Sequence, residues 1–69
     1  MSRAKLLGLN IKKYREQKGL TQAELAEKLD FSWEYICRVE RGQKFISLRK
    51  LFELATILEI KCSDLVDFE

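Results

Sequence analysis

Between Trp33 and Lys44 the chain gathers Glu34, Tyr35, Arg38, Arg41 and Gln43, side chains rich in hydrogen-bonding capacity and charge. The two arginines offer planar forks of N–H donors, the group that matches a guanine edge or a phosphate bidentately. Glu34 stands one helical turn before Arg38. It either pairs with Arg38 along a helix surface, worth about 0.3–0.5 kcal/mol, or accepts from the N4 amine of cytosine. Catalytic chemistry has little to work with. The chain has no histidine, no glycine-rich phosphate loop and no nucleophile set beside a base, and 69 residues leave little room for a sizeable pocket. This argues against an enzyme. The two cysteines, Cys37 and Cys62, do not make a zinc site and are expected to be reduced. No metal, cofactor or small-molecule ligand is expected.

The polar groups need elements to present them. Leu7, Ile11 and Tyr14 recur at helical spacing and stop at Gly19, predicting a first helix from Leu7 to about Lys18 with Leu20 folding back in a Schellman-type cap. Thr21-Gln22-Ala23-Glu24 is a capping box that starts a second helix, Gln22 to Leu29. Asp30 sits at the turn, where aspartate tolerates left-handed backbone. Ser32 caps a third helix from Trp33 to Arg41, ended by Gly42. Ser47 caps a fourth from Leu48 to Leu58, whose Leu51, Leu54, Ala55 and Leu58 follow the i, i+3, i+4, i+7 rule. A short fifth helix is predicted from about Ser63. The fold class is therefore all-α.

Only about three residues join the second and third helices, so the two must cross steeply, with Ala26 at the crossing and Leu25, Phe31, Ile36 and Val39 filling the angle. At about 100° per residue, the face of the third helix opposite Ile36 and Val39 holds Glu34, Cys37, Arg38 and Arg41. Trp33 and Tyr35 lie on its flanks. Such a face suits insertion into a major groove, N-terminus first.

Net charge is only +2, but its distribution is uneven. Residues 1–19 carry six positive charges against one negative, whereas residues 51–69 carry one against five. A polyanion would meet the early part of the chain and avoid the tail. No apolar run approaches the ~18 residues of a membrane span, and Met1-Ser2-Arg3-Ala4-Lys5 lacks the apolar stretch of a secretory signal. One domain spanning residues 1–69, in the cytoplasm, is the expectation.

Arg15, Gly19, Leu20, Thr21-Gln22, Glu24-Leu25-Ala26, Leu29, Ser32, Ile36, Val39-Glu40-Arg41-Gly42, Ser47-Leu48 and Leu58 together resemble the Cro/cI-type (XRE) helix-turn-helix regulators. The likeness covers Leu7 to Leu65. It implies a five-helix bundle of the phage-repressor type and a homodimeric transcription regulator on a two-half-site, pseudo-palindromic operator in double-stranded DNA. It also leaves room for contact with RNA polymerase. Residue by residue, it implies that Trp33, Glu34 and Arg38 read bases. Gln22, Tyr35, Arg41, Gln43 and Lys44 would contact phosphates. Arg15 and Glu40 would form a buried ion pair, and Phe52, Ile57, Leu65, Val66 and Phe68 a dimer interface. The chain departs from the pattern at Asp30 and Glu59, where the family usually has glycine, and at Ile46, where it often has proline. The short length, Tyr35-Ile36 and Ile46-Ser47-Leu48 look similar to restriction–modification controller proteins. Phage repressors and antitoxins share much of the pattern. A protein-interaction module, antitoxin or co-repressor, is the alternative function for the same fold.

Overall fold

Four hydroxyls start four helices. Ser2 Oγ accepts from Lys5 N–H at 3.2 Å, Thr21 Oγ1 from Glu24 N–H at 3.0 Å, Ser32 Oγ from Tyr35 N–H at 3.1 Å and Ser47 Oγ from Lys50 N–H at 3.2 Å. Each satisfies one of the amides that a helix leaves unpaired at its N-terminus. In the computed structural model, which describes residues 1–67, the elements are α1 (Arg3–Gln17), α2 (Gln22–Leu29), α3 (Trp33–Glu40), α4 (Leu48–Leu58) and α5 (Cys62–Leu65). Among the described residues there is no strand, and the fold is all-α, as the sequence pattern implies. At Thr21 the capping box is closed by Glu24, whose carboxylate accepts from Thr21 N–H at 2.9 Å. That hydrogen bond lowers the Glu24 pKa from its ordinary value.

The same four helices also end alike. Gly19 (φ 77°), Asp30 (60°), Gly42 (78°) and Glu59 (56°) take left-handed backbone. In each case the following N–H reaches back to a carbonyl of the last turn: Leu20 to Arg15, Phe31 to Ala26, Gln43 to Arg38 and Ile60 to Ala55. This is the Schellman pattern. Asp30 and Glu59 therefore keep the turn geometry of the glycines they stand for, and Glu59 also pairs with Lys18.

The predicted start of α1 requires correction. The helix begins at Arg3, not Leu7, because Ser2 caps it and Gly8 continues it. Gly8 lies where α1 meets the end of α3. A Cβ there would stand 2.4 Å from the Glu40 carbonyl oxygen and 2.5 Å from that of Val39.

The core joins Leu7 and Ile11 of α1, Leu25, Ala26 and Leu29 of α2, Ile36 and Val39 of α3, and Leu51, Leu54, Ala55 and Leu58 of α4. Leu65 of α5 completes it at 0% exposure. The assignment of Leu65 to a dimer interface is therefore wrong: its side chain is spent inside its own chain. Asn10 Nδ2 fixes that turn by donating to the Leu65 carbonyl at 2.9 Å. Lys50 Nζ donates to the Leu29 carbonyl at 2.8 Å and lies 5.1 Å above the Phe31 ring, tying α4 to the end of α2.

Gly8→Ala separates local from tertiary effects. Alanine favours an isolated helix by about 1 kcal/mol, but its methyl group would force α1 off α3. The variant is expected to lose about 1–3 kcal/mol of stability net, read as a lower urea midpoint by circular dichroism. An equal or higher midpoint would show that the approach is not tight.

Candidate nucleic-acid interface

Helix α3 is anchored from behind and open in front. Ile36 and Val39 are 1% and 2% exposed, while Trp33 is 56% exposed and Glu34, Arg38 and Arg41 are also exposed. Trp33, Glu34, Cys37, Arg38, Arg41 and Gln43 line a shallow groove of about 320 Å³. The structure thus brings the three expected base readers together with two of the expected phosphate contacts. Among the described residues no ion pair joins Glu34 to Arg38. Both charges are free to meet a ligand. Lys44 is exposed in the loop that follows α3.

Below this face lies a polar network. Arg15 Nε donates to Glu40 Oε2 at 2.7 Å and Nη2 donates to Oε1 at 3.1 Å. The two residues are 7% and 6% exposed. Nη1 of Arg15 donates to the Leu20 carbonyl at 2.8 Å, in the turn between α1 and α2. The hydrogen bond to Glu40 raises the Arg15 pKa, so the guanidinium stays charged.

Gln22 is part of the same network, a role its position in the sequence does not reveal. Its Nε2 donates to Glu40 Oε1 at 2.9 Å, and its Oε1 accepts from the Cys37 thiol at 3.2 Å. One amide hydrogen remains for an outside acceptor. Cys37, expected to be a small filler, instead orients Gln22. The signal available was its place on the outward face of α3, beside the first turn of α2.

Tyr35 also requires correction. Its hydroxyl donates to the Phe45 carbonyl at 2.8 Å, and its ring packs on Phe31 with centroids 4.5 Å apart. Its single O–H proton is committed inside the chain, so Tyr35 is no phosphate donor here. It braces the loop that carries Gln43 and Lys44.

Of the remaining expected positions, Phe52 is 54% and Val66 45% exposed. Ile57 is half-buried against the core. Phe68 lies outside the described residues. Among those residues no group of three or more His, Cys, Asp or Glu side chains could hold a metal ion. No helix is long and apolar enough to cross a membrane.

Residues 11–65 match the model of the helix-turn-helix family HTH_3. The chain is 38% identical over 66 residues to an HTH-type transcriptional regulator, y4dJ, of Sinorhizobium fredii, covering 96% of this chain and 86% of that one. Its structure superposes on the restriction–modification controller C.AhdI of Aeromonas hydrophila with a TM-score of 0.83 at 35% identity, covering 90% and 94% of the two chains. With the biofilm regulator SinR, solved in complex with DNA, the TM-score is 0.81 at 32% identity, covering 88% and 98%.

The buried pair makes a clear demand on stability. Replacing Arg15 with methionine strands the Glu40 carboxylate and is expected to remove about 3–5 kcal/mol, measured by chemical denaturation. A loss below about 1 kcal/mol would mean that the pair behaves as an exposed one.

Proposed function

The chain belongs to the helix-turn-helix family of DNA-binding transcriptional regulators, and from that premise we propose that it reads a two-half-site operator as a homodimer through the outer face of α3. The observation that carries this reading is the unpaired Glu34 and Arg38, exposed side by side on a helix whose opposite face is locked by Ile36 and Val39. Arg38 can donate bidentately to O6 and N7 of a guanine, and Glu34 can accept from N4 of a cytosine. Trp33 is placed to touch a thymine methyl or the sugar–phosphate edge. Gln22, Arg41, Gln43 and Lys44 surround these readers and would fix register on the phosphates without reading sequence.

A twofold dimer would set two copies of α3 about 34 Å apart, one DNA turn, a spacing on the scale of this 29 × 23 × 21 Å body. Exposed apolar surface on α4 and just beyond α5 supports such a contact. Phe52 and Ile57 lie about 140° apart around α4, at ~100° per residue, so one seam centres on one of them. The likeness to C.AhdI favours the restriction–modification controller as the regulatory class.

Two measurements test the proposal. Arg38→Ala is expected to cost about 1–3 kcal/mol on the duplex selected from a random pool and to relax one base position. Lys44→Ala should weaken all duplexes alike. If Arg38→Ala leaves affinity and selectivity intact, the assignment of the reading face fails. Separately, sedimentation of Phe52→Glu and Ile57→Glu should convert the dimer to monomer in at least one case. A dimer surviving both would place its interface elsewhere.

A further inference from the structure

A second cleft lies beside the groove of α3 and has no role in the scheme above. It measures about 360 Å³ and is lined by Lys5, Leu9, Lys12, Gln22, Cys37, Glu40 and Arg41. Lys5, Leu9 and Lys12 follow i, i+4, i+7 spacing and so share one face of α1. The cleft meets the groove along a common wall, since Cys37 and Arg41 line both. An extended ligand in one runs directly into the other.

The charge here is one-sided. Lys5, Lys12 and Arg41 are exposed, and among the described residues none forms an ion pair. The one carboxylate in the lining, Glu40, is buried and already held by Arg15 and Gln22. Lys5 is also fixed in place. Its backbone packs on Gly42, where an added Cβ would stand 2.7 Å from Lys5 Cα. Three unpaired cations thus surround a cleft whose only acid is neutralised, and the wall is built from packed helices.

We propose that this cleft holds a backbone phosphodiester of the DNA flanking each half-site, with Lys5 and Lys12 of α1 as its contacts. The proposal rests on the reading of the α3 face and extends that footprint outward along the strand. It explains why the basic residues of the first nineteen positions matter to a chain whose net charge is only +2.

The test uses the full chain and a labelled mixed-sequence duplex of about three helical turns, alongside the duplex selected from a random pool. Lys5→Gln/Lys12→Gln should lower the slope of log affinity against log salt by about 0.9 per lysine. Its deficit against the unmodified protein should then shrink about tenfold between ~50 and ~200 mM salt. The loss should be equal on both duplexes, with melting temperature and base preference unchanged. Lys5→Arg/Lys12→Arg should restore the slope. Trimming the duplex ends until the flanking phosphates are gone should erase the difference. An unchanged slope, or a slope lowered equally by the arginine variant, overturns the cleft. If that happens while Arg38→Ala still alters selection, the reading of α3 survives. If Arg38→Ala is silent, both fall.

Discussion

Glu40 accepts three hydrogen bonds from two elements other than its own: two from Arg15 of α1 and one from Gln22 of α2. A carboxylate buried to this depth is costly unless every lone pair is used and a cation stands beside it. Here both conditions hold, and among the described residues no buried side-chain nitrogen or oxygen lacks a partner. Such a network need not add stability over an apolar core of the same volume. Its effect is geometric. With α1, α2 and α3 bound to one carboxylate, α3 has little freedom to slide or rotate beneath its outward side chains. Gln22 inherits an orientation from the same atom, so the phosphate-facing end of α2 and the reading face of α3 are set by a single group.

Repeated helix ends extend that constraint through the chain. Four hydroxyl caps and four left-handed stops leave short connections whose backbone amides are already spent. Between α2 and α3 only Asp30, Phe31 and Ser32 intervene. One of them ends the first helix, one starts the second, and Phe31 fills the angle between them, capped by Lys50 above and Tyr35 alongside. The helix pair therefore moves as a unit, and the loop after α3 is joined to it through the Tyr35 hydroxyl.

Much of this was legible in the sequence because its causes are local or periodic. Hydroxyl caps, glycine stops and the apolar stripe of α4 each depend on residues within a turn or two of one another, so the bounds of α2 and α4 could be read directly. The apolar members of the core followed from the same spacing. Asp30 and Glu59 were readable as departures from glycine. That they still adopt left-handed backbone depends on the helix ends they close, which composition does not carry. What escaped is set by contacts across the fold. Gly8 reads as a weak helix residue until the end of α3 is seen to rest on it. Leu65 looks like surplus apolar surface until α5 turns it under α1 and α4. Tyr35 and Cys37 carry polar atoms whose partners, Phe45 and Gln22, lie ten and fifteen residues away, beyond the reach of any helical repeat. Lys5 and Lys12 sat in a segment read only for its charge, and their place beside Gln22 depends on how α1 crosses α3.

The division of labour across the surface follows from which charges are left unpaired. Lys5, Lys12, Arg41 and Lys44 form no ion pair among the described residues and border the groove. Their attraction to phosphates depends on counterion release and is blind to sequence. Glu34 works against that attraction, since a carboxylate at the middle of a basic face repels any backbone that settles there. The strand is pushed to the rim, and the centre is left for base edges. There Arg38 and Glu34 lose water on docking and recover hydrogen bonds only from matching partners. A wrong base leaves a desolvated charge unsatisfied, which costs more than a correct pair contributes. Selectivity on this face thus comes chiefly from penalty at two adjacent side chains, while affinity comes from the cations around them.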